Sequence, residues 1–233
     1  MRRNWVLSLA VLVALLGLIR GLTAGALWDP HEVGVGDLAR RLALNLLGGT
    51  TLSVPGADNS LPIRADLGRG ELPFTSIALG FRVAGLSAWA GRLPLTLWAL
   101  AGLGALYLVL SKVWERRVGL YAVLVLSTTP LYFLQARTLL GDAVTLACFA
   151  LAWSGLALAC LLDGASLRAR SGFALLGMVG LYAGFWCRGA ILSVALPALS
   201  VGVPALLLKR ASPWGRWGGL TATLLGLAAL GVG

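Results

Sequence analysis

Seven stretches of this chain carry no charged residue and are almost wholly apolar. A helix crosses the hydrocarbon core of a bilayer with about 20 predominantly apolar residues, and these stretches approach or reach that length. They are Trp5–Ile19, Leu93–Ser111, Val118–Ala136, Ala143–Leu162, Ser171–Cys187, Gly189–Leu208 and Gly218–Gly233. Only 12% of the residues are charged, against about 25% in a typical soluble domain. The sequence therefore predicts an all-α polytopic membrane protein with about seven transmembrane helices.

The basic residues indicate the orientation of these helices. Ten of the 19 stand at the N-terminus, as Arg2 and Arg3, and in the short loops 112–117, 163–170 and 209–217. Because basic loops remain on the cytoplasmic side, this distribution places the N-terminus inside. The net charge of +10 is thereby explained by topology, and no nucleic-acid partner is predicted. A cleavable signal peptide over the first apolar stretch is the less favoured alternative, since further spans follow it.

With this orientation, residues 23–92 form a long first extracytoplasmic loop within a single transmembrane domain, residues 1–233. The stretch 72–89 is apolar but contains Arg82, so we predict a helix that lies along the membrane interface rather than a span. A second interfacial helix is predicted at Asp37–Leu47, where apolar residues recur on one face. The chain stops within an apolar stretch, which predicts that it is the N-terminal part of a longer protein.

Acidic residues and arginines gather in what this topology makes the outer rim. The stretch "ALWDPHEVGVGD" places the only histidine and two acids, Asp29 and Glu32, within four residues after the first span, and other charges follow at later helix ends. The candidate site residues are Asp29, His31, Glu32, Arg69, Glu71, Arg137, Asp142 and Arg188. A carboxylate can act as general base, and the planar guanidinium group suits phosphate. The pattern favours transfer from a membrane-anchored phosphate donor; the alternative is interfacial anchoring by ion pairs.

Five motifs follow one another between about residues 27 and 208. They are "WDPHEVGVGDLARRLA", "GELPFTSIALGF", "AWAGRLPLTLWALAGLGALYLV", "TPLYFLQARTLLGDAVTLACFAL" and "GLYAGFWCRGAILSVALPAL". In this order they resemble the bacterial glycosyltransferase-39-like branch of the GT-C membrane glycosyltransferases, whose relatives are the protein O-mannosyltransferases and the aminoarabinose transferases that modify lipid A. The resemblance implies inverting transfer from a polyprenyl-phosphate-sugar donor to a lipid or protein acceptor. It also implies a bacterial inner-membrane protein whose active site is extracytoplasmic.

The resemblance further implies a catalytic carboxylate in the first outer loop. Comparison with the family's Asp-Pro-x-Glu variant favours Asp29 as general base, with Glu32 as the second carboxylate. An ungapped comparison with the family's Asp-Glu pair instead places Glu32 at the glutamate and His31 at the aspartate. His31 is expected to orient a neighbour or to hydrogen-bond rather than to catalyse. No metal ligands are assigned, and a divalent cation is the one cofactor left open.

The resemblance assigns the donor phosphate to arginines of the outer rim. Arg137, Arg188 and Arg69 are expected to bind it, with Glu71 and Asp142 beside them. Two positions depart from the family pattern. Glu71 stands where a Lys-Pro-Pro-like motif has its lysine, which reverses the charge, and Arg188 replaces another lysine while keeping the charge.

Two other classes of function compete with the enzyme. The charge reversal at Glu71 and the short chain favour a non-catalytic relative that acts as a membrane scaffold or lipid-binding protein. A solute transporter is less favoured, because the ionisable residues of a transport pathway lie within the membrane. In this sequence each charge is expected to lie near a helix end.

Overall fold

A computed structural model describes residues 2–20, 22, 31–48, 50–67, 70–162, 164–207 and 213–232 of the chain. Every regular element within these residues is helical. The α-helices are α1 (Arg2–Arg20), α2 (His31–Leu46), α3 (Glu71–Ala84), α4 (Ala88–Val113), α5 (Arg116–Thr128), α6 (Pro130–Gln135), α7 (Asp142–Leu161), α8 (Leu167–Ala190), α9 (Leu196–Leu207) and α10 (Pro213–Val232). Short 3-10 helices cover Thr50–Leu52 and Arg64–Leu67, and a π-helical turn, Ile191–Ala195, precedes α9. The all-α architecture predicted from the sequence is confirmed.

Three of the described helical segments are long and apolar enough to cross a membrane. They are Ala88–Val113, Asp142–Leu161 and Leu167–Leu207, and a shorter apolar helix covers Leu7–Arg20. The predicted span Val118–Ala136 is divided between α5 and α6, because a proline begins a new helix there. The last predicted span falls within α10 and the residue that follows it.

The longest segment turns back on itself between two stretches that the sequence predicts as separate spans. Arg188 and Gly189 leave the helical conformation, and Gly189 has a φ of 75°, which glycine adopts without strain. A Cβ atom on Gly184 would lie 2.8 Å from Cβ of Ser193. A straight helix would separate these two positions by about 13 Å. The chain therefore reverses direction here, and the π-helical turn packs back against the end of α8.

Small residues bring the membrane-crossing helices into backbone contact. A Cβ atom on Gly180 would lie 2.2 Å from the Ala152 nitrogen, and one on Gly155 would lie 2.2 Å from the Gly177 nitrogen. The two contacts run in opposite directions along the chain, so α7 and α8 are antiparallel. Close packing of this kind stabilises helix pairs in lipid, where the hydrophobic effect does not drive helices together.

Helices α2 and α3 occupy the two places where helices outside the spans were predicted. With 14 residues, α3 is about 21 Å long, shorter than the hydrocarbon core of about 30 Å. It buries Phe74 and Phe81 in a cluster shared with α2 and α4. The prediction that α2 starts at Asp37 is wrong, because the helix begins at His31. Glu32 lies in its first turn, where the helix dipole favours a negative charge.

One buried arginine of α2 holds the segment between α2 and α3. The guanidinium group of Arg40 donates to the Asp37 carboxylate and to the side-chain oxygen of Asn59. It also donates to the carbonyl oxygens of Leu52 and Asp58, at 3.2 and 2.6 Å. Burial of a charged group is tolerated when its donors are satisfied in this way. Arg40 therefore fixes the path of the chain as it leaves α2.

Replacing Arg40 with methionine is expected to lower the free energy of unfolding by about 1.5–3 kcal/mol, the contribution of a hydrogen bond to a charged group. Proteases should then cleave residues 53–60 faster, because Arg40 no longer links them to α2. Limited proteolysis and thermal unfolding in detergent measure the two effects. The matched control is Arg168→Met, which removes an exposed guanidinium group from α8. Equal cleavage rates in the two variants would contradict the prediction.

Candidate active site

Four segments from distant parts of the sequence meet at one end of the helical bundle, which we call the α2–α3 end. They are the start of α2, the start of α3, the loop 136–141 with the start of α7, and the kink in α8. A Cβ atom on Gly70 would overlap the Cys187 carbonyl oxygen at 2.1 Å. A Cβ atom on Gly141 would lie 2.8 Å from Cβ of Pro73. Both glycines have positive φ, so these two contacts depend on glycine.

The first group of charged residues at this end is a buried network around Glu32. Only 1% of the Glu32 surface is exposed. Its Oε2 accepts a hydrogen bond from Nη2 of Arg92 at 2.7 Å, and its Oε1 accepts one from the Leu139 backbone N–H at 2.7 Å. Thr96 Oγ1 donates to the Ala136 carbonyl oxygen at 2.7 Å. Glu32 and Thr96 thus fasten α2 and α4 to the loop 136–141.

Arg92 is a site residue that is not among the candidates predicted from the sequence. It lies within α4 and is 5% exposed, and its guanidinium group pairs with Glu32 inside the protein. The available signal was an arginine in an otherwise apolar stretch, "AWAGRLPLTLW". Charged side chains in such stretches face the protein interior and pair with a partner. The partner itself, in a different helix, has no signature in the local sequence.

The second group surrounds the kink in α8. Nη2 of Arg188 lies 2.9 Å from Oδ1 of Asp142, the first residue of α7. Arg188 also lines a cavity of about 490 Å³ together with Glu71, the first residue of α3. Phe185 and Trp186 line the same cavity, with their rings in an edge-to-face arrangement. The cavity combines a cation, a carboxylate and aromatic surface, which is typical of small-molecule sites.

Arg137 lies in the loop 136–141, which leads into α7 at Asp142. Its guanidinium carbon is 4.6 Å from the centre of the Phe133 ring, a cation–π contact. Its buried Nε has no hydrogen-bond acceptor within the part of the chain that the structure describes. His31 is exposed at the first position of α2. The loop that carries Arg137 is the one that Glu32 binds through Leu139.

The structure therefore brings six of the eight candidate residues to the α2–α3 end, in two groups. Glu32 belongs to the buried network, with His31 and Arg137 on the segments that it joins. Asp142 and Arg188 form the ion pair, and Glu71 lines the cavity beside them. The other two candidates, Asp29 and Arg69, lie outside the described residues. Among the described residues, no three His, Cys, Asp or Glu side chains are grouped in a way that could hold a metal ion.

Comparison with known proteins gives a family and a fold. The family described as dolichyl-phosphate-mannose-protein mannosyltransferase matches residues 72–231. That range contains Arg92, Arg137, Asp142 and Arg188, whereas Glu32 precedes it. No curated protein matches the chain.

Two solved structures share the fold, and both are ArnT from Cupriavidus metallidurans. The apo structure has a TM-score of 0.72 at 23% identity and covers 99% of this chain and 40% of its own. The structure bound to undecaprenyl phosphate has a TM-score of 0.73 at 21% identity and covers 100% of this chain and 42% of its own. The chain thus spans about two fifths of the length of these proteins.

Proposed function

Because this chain belongs to the dolichyl-phosphate-mannose-protein mannosyltransferase family of membrane glycosyltransferases, we propose that it transfers a sugar from a polyprenyl-phosphate donor to a lipid or protein acceptor. The likeness to a solved structure that holds undecaprenyl phosphate supports this class of donor. The distribution of basic residues supports an N-terminus in the cytoplasm. With that orientation, the α2–α3 end lies on the extracytoplasmic side of the inner membrane.

The observation that carries the proposal is the cavity shared by Arg188 and Glu71 at this end. A guanidinium group binds phosphate oxygens with two parallel hydrogen bonds. Arg188 is therefore assigned to the donor phosphate. Its ion pair with Asp142 holds it at the N-terminal end of α7. Arg137 and Arg69 are assigned to the same phosphate. Their positive charge stabilises the lipid phosphate as it leaves the sugar.

Asp29 is proposed as the general base. It takes the proton from the acceptor as the acceptor oxygen or nitrogen attacks the anomeric carbon, and the bond between that carbon and the phosphate oxygen breaks. Attack from the face opposite the phosphate inverts the configuration at that carbon.

Glu32 is proposed as a positioning residue that acts in support of Asp29. Its two oxygens already accept hydrogen bonds from Arg92 and Leu139, which leaves it poorly placed to receive the acceptor's proton. It holds the first turn of α2 against the loop that carries Arg137. His31, exposed beside it, is assigned to hydrogen bonding with the acceptor.

Replacing Asp29 with asparagine is expected to lower kcat by about 10²- to 10⁴-fold, the usual contribution of a general base. The KM for the donor should stay close to that of the wild type, since the arginines still bind the phosphate. The assay follows labelled sugar from a panel of polyprenyl-phosphate donors, with the longest natural form of the chain in membranes. A parallel arm with a chelator tests for a divalent cation.

Asp58→Asn is the matched control, because Asp58 is an exposed carboxylate in the loop that α2 holds. The Ser60 backbone N–H donates to it at 2.9 Å and helps to hold the pKa of Asp58 below its usual value. Asp58 is therefore ionised in the assay, as Asp29 is expected to be. Turnover of Asp29→Asn equal to that of the control would overturn the assignment of the base.

A second candidate function is lipid binding without catalysis, and one observation favours it. Glu71 places a carboxylate in the cavity where the family resemblance predicts a lysine. A negative charge repels phosphate and weakens a donor site. Binding of polyprenyl phosphate without turnover of any donor in the panel would support this scaffold or lipid-binding role.

A further inference from the structure

Two of the three cysteines meet between α7 and α8. Sγ of Cys148 lies 3.8 Å from Sγ of Cys187, and each residue is 1% exposed. All three cysteines are free thiols, and the third, Cys160, is also buried in α7. Burial alone is ordinary for cysteine, which packs as a small apolar residue. The close approach of two sulfur atoms from different helices is the feature that packing alone does not require.

The two sulfur atoms are in contact, and a short approach would bring them to the distance of a disulfide bond. The sulfur atoms of a disulfide are about 2.05 Å apart, so these two must approach by about 1.8 Å. They project from helices whose backbones touch at Ala152 and Gly180. A bridge between them would close the part of the chain that contains the loop between α7 and α8.

The two cysteines differ in their position relative to the cavity at the α2–α3 end, and this difference indicates which of them meets an oxidant there. Cys187 lines the cavity of about 490 Å³ at the α2–α3 end, whereas Cys148 is not part of its lining. A small molecule that enters this cavity therefore lies beside Cys187 and not beside Cys148. Cys148 then lies in contact with the sulfur that has reacted.

We propose that Cys148 and Cys187 form a redox-active pair that a small disulfide oxidant closes into a bridge between α7 and α8. Cys187 Sγ bonds to one sulfur of the oxidant, whose own S–S bond breaks, and the released thiol carries away a proton. Cys148 Sγ then attacks Cys187 Sγ and displaces the second thiol, which carries away the second proton. The protein loses two electrons and two protons, and the oxidant becomes two thiols.

The bridge would tether α7 to α8 beside the charged residues of the cavity. Cys187 directly precedes Arg188, and Cys148 belongs to the helix that begins at Asp142. Oxidation therefore holds together the two helices that carry the Arg188–Asp142 ion pair. The inference goes beyond sugar transfer and does not rest on it, because its test reads the state of the thiols.

The test uses the full chain in membranes with dipyridyl disulfide as the oxidant. Mass spectrometry of the oxidised protein should show the loss of two hydrogens and a crosslinked peptide pair from Cys148 and Cys187. The oxidised form should also unfold at a higher Tm than the reduced form, because the bridge restricts the unfolded chain. Treatment with a reductant should restore both thiols and the lower Tm.

Variants separate the two steps of the reaction. Cys148→Ala should keep a pyridyl adduct on Cys187, because no second thiol displaces it, while Cys187→Ala should form neither adduct nor bridge at Cys148. The matched control is Cys160→Ala, which should form the bridge as the wild type does. The proposal would be overturned if wild-type protein treated with the oxidant kept both thiols reduced, or if it carried adducts on both cysteines without a bridge. That measurement needs no variant to fold.

Discussion

Replacing Arg92 with methionine is expected to destabilise the protein by about 3–5 kcal/mol, the cost of breaking a buried ion pair by removing one partner. The variant loses the guanidinium group that lies 2.7 Å from Glu32 Oε2, while the carboxylate stays buried. Glu32 should then hold the loop 136–141 less firmly, since it also accepts the Leu139 N–H. Unfolding in detergent, followed by circular dichroism, measures the change in stability.

A double-mutant cycle distinguishes the ion pair from lost packing around Arg92. The double variant Glu32→Leu/Arg92→Met buries neither charge. Its loss of stability should therefore be smaller than the sum of the losses in the two single variants. Arg168→Met is the control for the loss of an exposed arginine and should leave stability within about 0.5 kcal/mol of the wild type. Additive effects of the two buried substitutions would contradict the coupling that the structure implies.

Replacing Gly180 with alanine is expected to destabilise the protein by about 1–3 kcal/mol, the usual cost of overpacking. The new Cβ atom would lie 2.2 Å from the Ala152 nitrogen and 2.7 Å from its Cα, so the backbones of α7 and α8 must separate. A flexible side chain could move aside, but a backbone atom cannot do so without shifting its helix.

Gly172 provides a control in the same helix with the opposite expectation. Apart from the backbone of its own helix, no heavy atom of the described residues lies within 4 Å of the Cβ position there. Alanine is favoured over glycine in a helix by about 1 kcal/mol, so Gly172→Ala should be neutral or stabilising. Thermal unfolding of the two variants in one detergent compares them directly. A Gly180→Ala protein as stable as Gly172→Ala would show that α7 and α8 are not in backbone contact.

Much of the architecture follows from the order of apolar and charged residues. The uncharged stretch from Leu93 to Ser111 lies within α4, and the one from Ala143 to Leu162 is almost all α7. A helix is predicted in the stretch 72–89, and α3 occupies most of it. These predictions succeed because hydropathy and the placement of charges act over neighbouring residues, which a sequence displays directly.

The contents of the site depend on contacts between residues far apart in the chain. Glu32 and Asp142 were both singled out, yet Glu32 pairs with Arg92 and Asp142 pairs with Arg188. The start of α2 at His31 was also missed, because this turn has little apolar periodicity and Glu32 is held by partners in α4 and the loop 136–141.

Hydropathy and charge in the sequence were thus enough to predict membrane-crossing helices and the segments between them. The helix packing then decided which charged residues meet. Glycines at Gly70, Gly141 and Gly180 allow segments to approach to distances that any larger residue would prevent. That approach brings the α8 kink, the start of α3 and the loop 136–141 together. Such contacts depend on three-dimensional fit between surfaces, and no local pattern of residues records them.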